Sequence, residues 1–172
     1  MGGLPSAGAE EAPPGEYQVK AAFLYNFAKF IEWPAPTFTT PGADFTIGVL
    51  GQNPFGPVLD QMLRDKQVQQ RAVIIKSSPD ISTLADCQLL FISASEAARL
   101  DQIMHAVQGH SILTVSEIEG FARRGGIIQL VTQASQIRFI INIDAAHRAG
   151  LQVSSQILKL ATVMHDHPAA GE

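Results

Sequence analysis

Histidine, serine and aspartate, whose side chains often bind metals or catalyse reactions, are scattered along this sequence. His165 and His167 flank Asp166 near the carboxyl end, and a His-x-His pair alone supplies too few ligands for a specific metal site. The other histidines lie in separate segments, at His105, His110 and His147. Ser93 and Ser95 flank a predicted strand-to-helix turn, where helix capping explains both hydroxyls. We therefore predict no catalytic residue and no metal site.

The only cysteine, Cys87, comes directly before the apolar run QLLFIS. This apolar neighbourhood predicts a small buried side chain rather than a nucleophile. A lone cysteine also excludes an intramolecular disulfide and a multi-cysteine metal site. We expect no cofactor.

The turn GQNPFG is the strongest candidate for a ligand site. It follows a predicted strand, and open α/β sheets bind ligands beyond the carboxyl ends of their strands. Gly51 and Gly56, with Asn53 between them, would let backbone amides approach an anion, although the spacing matches neither a dinucleotide fingerprint nor a P-loop. Asn26 would form another wall of this crevice. The alternative is a shaped turn with Phe55 tucked inward.

A helix over Val19–Trp33 must position the first part of the core. Its large apolar side chains fall on one half of a helical wheel, and Ala21 falls on the other half. Asn26 lies within the apolar half, so we expect either a buried amide that hydrogen-bonds a loop backbone or the ligand wall described above. Lys20, in the first turn, is expected to extend its amine to solvent.

Downstream, short apolar runs alternate with segments of helical spacing. Four runs predict buried strands, and a turn at TQAS joins two further β-rich runs into a hairpin. Strands that alternate with helices form a mainly parallel sheet covered on both faces. The predicted fold class is α/β. We expect a single three-layer domain with a mainly parallel sheet, an antiparallel edge hairpin, and helices on both faces. The four strands are Phe45–Gly51, Arg71–Ser77, Gln88–Ala94 and Ser111–Glu117.

Polar residues at the ends of these elements predict helix caps. Ser95 is placed to cap the helix that follows the third of these strands. Ser116 and Glu119 match a capping box, which would open a short helix. The other predicted caps are Asp144 for the helix AAHRAG, and Ser154 or Ser155 for a last helix over QILKLATVM.

Composition restricts the class of protein. With 172 residues, of which 46% are hydrophobic, the chain has the size and core of one soluble domain. A net charge of −4 and the lack of a basic stripe argue against nucleic-acid binding. No apolar run reaches the roughly 18 residues of a membrane-spanning helix. We assign residues 1–16 to a flexible leader, 17–164 to the domain and 165–172 to a C-terminal tail.

Four segments occur here in the order seen in the YfiR family: VKAAFLYNFAKFIEWP, IGVLGQNPFG, GFARRGGIIQLV and IRFIINIDAAHRAGLQVSSQILKLA. They extend from about Val19 to Ala161, so the chain resembles that family over nearly the whole predicted domain. The resemblance implies a small periplasmic α/β protein that inhibits a membrane-bound diguanylate cyclase by binding its periplasmic sensor domain. Cyclic di-GMP signalling and biofilm formation would fall. It also implies an outer-membrane lipoprotein as the releasing partner, and a homodimer.

This sequence departs from the family pattern in one clear way. Some YfiR-like proteins carry disulfides thought to couple redox state to repression, which a single cysteine cannot do. The periplasmic location requires an export signal, and residues 1–16 have neither the basic start nor the apolar stretch of one.

Surface residues near the carboxyl end are the expected contacts with a partner protein. The closing helices after Asp144 and the edge strands would form that surface. The alternative function is a periplasmic small-molecule-binding module with its crevice at the Gly51–Gly56 turn. The expected partner contacts are Arg148, Gln152, Lys159 and Met164.

Overall fold

The structure, a computed structural model, describes residues 15–38 and 42–166, with Pro36 described by its backbone alone. The predicted leader lies outside the described residues as far as residue 14, and the predicted tail lies outside them from residue 167.

The α-helices are α1 (Glu16–Phe30), α2 (Val58–Leu63), α3 (Leu100–Val107), α4 (Ile143–Arg148) and α5 (Ser155–Leu158). The strands are β1 (Ile31–Glu32), β2 (Phe45–Leu50), β3 (Gln67–Val68), β4 (Arg71–Ser78), β5 (Leu89–Ile92), β6 (Leu113–Ser116), β7 (Ile128–Gln133), β8 (Gln136–Asn142), β9 (Gln152–Val153) and β10 (Thr162–Met164). Short 3-10 helices occupy Ala35–Thr37, Ile81–Leu84, Ala94–Arg99 and Ala122–Arg124.

Eight strands form one sheet in the order β10-β8-β7-β6-β5-β2-β4-β3, while β1 and β9 form a small antiparallel pair. The central strands β4, β2, β5, β6 and β7 are parallel. β8 returns antiparallel to β7 across the predicted hairpin, and β10 adds a parallel strand outside β8. The predicted fold class, α/β with a mainly parallel sheet and antiparallel parts, is confirmed.

Helices cover both faces of this sheet because its central strands are apolar on both sides. In β5, Leu89 and Phe91 belong to one core and Leu90 and Ile92 to the other, and all four side chains are fully buried. α1, α2, α4 and α5 pack on the first core, and α3 packs on the second. Burial on both faces explains why β5 reads as a continuous apolar run instead of an alternating one.

The buried face of α1 is rotated from the predicted one. Ala21 is fully buried, whereas Val19 is 47% exposed. Lys20 is 2% exposed and forms ion pairs with Glu16 and Glu117, so the prediction that its amine reaches solvent is wrong. The second carboxylate comes from the end of β6, which a wheel drawn for one helix does not include.

Asn26 and the end of α1 also differ from the predictions. Asn26 is only partly buried, and within residues 15–38 and 42–166 its side chain forms no hydrogen bond, so the expected buried amide is wrong. The helix ends at Phe30 rather than Trp33 because β1 follows directly and pairs with β9.

Two predicted helix caps are displaced by one turn or less. Ser93, not Ser95, caps the segment after β5, and that segment begins as a 3-10 helix before it continues as α3. Asn142, not Asp144, caps α4 by accepting a hydrogen bond from the Ala145 amide at 3.0 Å. In both cases the hydroxyl or amide oxygen at the strand end reaches the first free backbone amides.

The predicted capping box is wrong. The Ser116 hydroxyl donates to the Ile92 carbonyl at 2.6 Å and accepts from the Ile118 amide at 3.1 Å, so it is turned towards the sheet and away from Glu119. The chain that follows forms a turn and the 3-10 helix Ala122–Arg124.

The last predicted helix is wrong beyond its first turn. Ser154 caps α5 as predicted, but the helix ends at Leu158. Thr162 to Met164 form β10 instead, in register with Ile140 to Asn142 of β8. The β-branched pair Thr162-Val163 favours a strand, and the exposed edge of β8 supplies its hydrogen bonds.

Candidate functional site

The GQNPFG turn begins at the topological switch point of the sheet, where β2 has β4 on one side and β5 on the other. The Gly51 amide donates to the Ser78 carbonyl at 2.9 Å, and the Gln52 amide donates to Ser95 Oγ at 3.0 Å. The turn is therefore tied to the carboxyl ends of both neighbouring strands.

Asn53 organises the middle of this turn. Its Nδ2 donates to Ser77 Oγ at 3.2 Å, and its Oδ1 accepts from the Phe55 amide at 2.9 Å. Phe55 is 2% exposed and makes edge-to-face contacts with Phe91 at 5.0 Å and Tyr17 at 5.5 Å between ring centres. The inward-pointing Phe55, one of the two alternatives for this turn, is present in the structure.

The space beside Gly51 is filled by the protein's own side chains. Gly51 has a φ of +93°, and a Cβ there would lie 2.6 Å from Ser95 Oγ and 2.7 Å from Glu96 Cγ. Glu96 is buried and forms an ion pair with Arg99. At Gly56, by contrast, no described atom beyond the glycine and its two chain neighbours lies within 4 Å of such a Cβ. A ligand-binding role stays a prediction for Asn26, Gly51, Asn53 and Gly56.

Cys87 is buried, with 3% of its surface exposed, as its apolar neighbourhood predicts. It packs against Gly48, where an added Cβ would lie 3.2 Å from the Cys87 sulfur. Burial raises the pKa of the Cys87 thiol to about 12, so the thiol stays protonated at neutral pH. The thiolate needed for nucleophilic or redox chemistry is therefore scarce in the folded protein.

We expect Cys87 in the folded protein to react with iodoacetamide about a thousandfold more slowly than in the urea-unfolded chain, because both access and thiolate content fall on burial. The stability that the protonated thiol contributes is fully present below its ordinary pKa of 9.0 and is lost as the pH rises towards 12. Mass spectrometry of the adduct over time measures the rate. Equal rates in the two states would contradict the buried environment.

The four residues predicted to contact a partner lie on four different segments. Arg148 ends α4, Gln152 begins β9, Lys159 follows α5 and Met164 ends β10. Met164 is partly exposed, and the other three are exposed. Their role in partner binding stays a prediction.

The end of β10 is held against α4. The Asp166 amide donates to Asp144 Oδ2 at 2.8 Å, and Asn142 Nδ2 donates to Asp166 Oδ1 at 2.9 Å. Arg148 forms an ion pair with the Asp166 carboxylate. The hydrogen bond from Arg148 lowers the pKa of Asp166, and the Asp166 amide lowers the pKa of Asp144. Both carboxylates are therefore charged at neutral pH.

Exposed apolar residues beside these segments were missed by the sequence patterns. Leu160 is 69% exposed and Val163 is 43% exposed. Leu160 and Val19 line the same groove, of about 770 Å³, between α1 and the β7–β8 hairpin. We name it the α1–hairpin groove, and its defining residues are Val19, Phe23, Ile137, Arg138, Phe139 and Leu160. Predicting Thr162–Met164 as a strand would have ended the preceding helix before Leu160. Leu160 would then not have been placed on a buried helical face.

Over the described ranges, 15–38 and 42–166, no group of three or more His, Cys, Asp or Glu side chains is placed to hold a metal ion. None of the helices described there is long and apolar enough to cross a membrane. Fold and surface together define a mainly parallel α/β domain with an exposed apolar groove near its last strand.

A family model described as YfiR/HmsC-like matches residues 17–162 of this chain. The chain therefore belongs to the YfiR/HmsC-like family, and the resemblance carried by the four sequence segments is confirmed. Members of this family are periplasmic regulators of diguanylate cyclases, so the general kind of role is regulation of signalling.

Proposed function

We propose that this protein is a non-enzymatic periplasmic regulator that binds the periplasmic sensor domain of a membrane-bound diguanylate cyclase and holds the cyclase inactive. Membership in the YfiR/HmsC-like family over residues 17–162 is the observation that carries this proposal. Lower cyclase output would reduce cyclic di-GMP and biofilm formation.

The α1–hairpin groove is the surface that we assign to the cyclase. Leu160 and Val19 expose large apolar side chains there, and soluble proteins seldom expose contiguous apolar patches that no partner covers. Fully burying one such side chain contributes about 1.5–3 kcal/mol. Arg138 in the groove and the exposed Lys159 next to Leu160 supply the polar rim that is typical of protein interfaces.

Inhibition requires that the protein bind the inactive arrangement of the sensor domain more tightly than the active one. A differential affinity of about 5.5 kcal/mol moves a two-state equilibrium from 1:99 to 99:1. Two or three buried apolar anchors supply a free energy of that order, provided that the groove meets the sensor domain only in its inactive arrangement.

Two further partners belong to the same proposal. An outer-membrane lipoprotein that competes for this protein would release the cyclase. A second copy of the chain would form a homodimer through a surface that leaves the α1–hairpin groove free.

We expect Leu160→Asp to weaken binding to the purified periplasmic domain of a membrane-bound diguanylate cyclase that the wild type binds, by about tenfold or more, because a charge replaces an interface anchor. Biolayer interferometry on the immobilised domain measures the affinity. Ile74→Asp is the matched control, since Ile74 is 38% exposed and lies on β4, far along the sheet order from β8 and β10.

Two results would overturn the docking assignment. In the first, both variants bind the cyclase domain as tightly as the wild type. In the second, Leu160→Asp alters only self-association in sedimentation experiments, and the groove is then a contact between copies. The function itself fails if the wild type does not bind the periplasmic domain, or if cell fractionation finds the mature protein in the cytoplasm.

A further inference from the structure

A second cavity, of about 530 Å³, lies between α3, α4 and the amino ends of β6 and β7. Its volume is within the range of small-molecule sites in proteins, roughly 300–1,000 Å³. We name it the α3–α4 cleft. Its apolar lining consists of Met104, Val107, Ile112, Ile127, Ala145 and Ala149.

Every ionisable side chain that lines the cleft is basic. Arg124 from the end of a 3-10 helix and Arg148 from the end of α4 line it, together with His105 and His110. Among the described residues that line the cleft, none is an aspartate or a glutamate. The whole chain has 16 acidic and 12 basic residues, so a lining without a carboxylate runs against the composition, and the acidic partners of the two arginines, Asp101 and Asp166, lie outside it.

Both arginines keep free hydrogen-bond donors. Arg124 Nη2 donates to Asp101 at 2.9 Å, and Arg148 pairs with Asp166 through Nη1. Within the described ranges neither guanidinium makes another side-chain hydrogen bond. A guanidinium has five N–H donors, so each arginine can still bind an anion.

The histidine rings at the cleft are also unengaged. Neither His105 nor His110 forms a side-chain hydrogen bond to any described residue. Both lie near the carboxyl end of α3, on either side of Gly109, and both are exposed. Four nitrogen-bearing side chains therefore surround an apolar floor. The two arginines have one carboxylate partner each, Asp101 and Asp166, and neither partner is a lining residue.

We propose that the α3–α4 cleft binds a small organic monoanion, a carboxylate with an apolar body. The carboxylate takes N–H donors from Arg124 and Arg148, and the apolar body covers Ile112 and Ile127. An inorganic anion would engage the arginines and leave the apolar floor in water, which is why the lining favours an organic ligand. The proposal concerns the isolated protein and does not rest on docking to the cyclase.

Calorimetric titration of the full chain with hexanoate tests this assignment. We expect saturable binding, and affinities about tenfold weaker for neutral hexanamide and for inorganic phosphate, because each control lacks one of the two contributions. Equal affinity for hexanoate and phosphate would overturn the apolar half of the proposal. Equal affinity for hexanoate and hexanamide, or no saturable binding of hexanoate, would overturn the anion site.

Three variants separate the cleft from non-specific charge effects. Arg124→Gln is expected to weaken hexanoate binding about tenfold, whereas Arg123→Gln, at the exposed neighbour that does not line the cleft, leaves it unchanged. Asp166→Asn removes the carboxylate that competes for Arg148 and is expected to tighten binding, even though it loosens the end of β10. Equal weakening in Arg123→Gln, or weaker binding in a folded Asp166→Asn, would contradict the proposal. None of these outcomes bears on binding to the cyclase domain.

Discussion

Replacing both Glu16 and Glu117 with glutamine is expected to lower the free energy of unfolding by about 3 kcal/mol. Lys20 is 2% exposed, and its Nζ donates to both carboxylates at 2.5 Å. Burial alone would lower the pKa of Lys20, but its hydrogen bonds to Glu117 and Glu16 raise it, so the ammonium is charged in the folded protein. Without the carboxylates a buried cation is left unpaired. We expect the low end of the usual 3–5 kcal/mol range because both glutamates are 20% exposed to water.

Urea unfolding, followed by the fluorescence of the buried Trp33, measures this loss. Adding Lys20→Met to the double variant should recover most of it, because an apolar chain of similar length needs no counter-charge. Glu119→Gln changes an exposed glutamate two residues from Glu117 and should alter stability by no more than about 0.5 kcal/mol. A double variant as stable as the wild type would show that water solvates the ammonium and that the ion pairs are unimportant.

Gly126→Ala is expected to cost about 3 kcal/mol or more, because the new methyl group has no space. A Cβ at Gly126 would lie 2.1 to 2.4 Å from three ring atoms of Phe121. Phe121 is fully buried in the second core, and its carbonyl accepts a hydrogen bond from the Gly126 amide at 3.0 Å. Neither the ring nor the backbone can move away without disturbing that core. Thermal and urea unfolding measure the effect.

The neighbouring Gly125 provides a matched control with a different physical cause. Gly125 has a φ of +102°, and the nearest atom to an added Cβ is Met104 Cε at 4.0 Å. Gly125→Ala should therefore cost only about 1–2 kcal/mol, from the left-handed backbone conformation. Phe121→Leu in the Gly126→Ala background should recover part of the larger loss. A larger cost for Gly125→Ala than for Gly126→Ala would mean that the clash with Phe121 relaxes more easily than the left-handed backbone at Gly125.

Local patterns were enough to predict the fold class. The run QLLFIS contains β5, whose four residues are all buried, and an apolar run of this length between polar turns is typical of a strand covered on both faces. The TQAS turn predicted the β7–β8 hairpin for a similar reason, since two β-rich runs separated by a few residues pair with each other. Both elements are specified by neighbours in the chain.

The candidate site was less predictable, because its residues meet only after folding. Nothing near Leu160 in the sequence shows that the helix stops at Leu158 and that the following residues pair with β8, which leaves Leu160 exposed beside Val19 of α1. The α3–α4 cleft likewise joins Arg124 and Arg148 from separate segments. Helical spacing and β-propensity compete in ILKLATVM, and the available edge of β8 decides between them.

The amino-acid sequence by itself determined the alternation of strands and helices, the burial of Cys87 and the family of this protein, because each follows from short-range pattern or motif. Tertiary structure alone decided that Lys20 is buried and that Leu160 is exposed. Lys20 meets Glu117 at a sequence separation of 97, and no local pattern records a carboxylate that arrives from so far along the chain. Burial of a charge depends on such long-range partners. The hydrophobic pattern of a helix or strand, by contrast, can be read from residues within a few positions of each other.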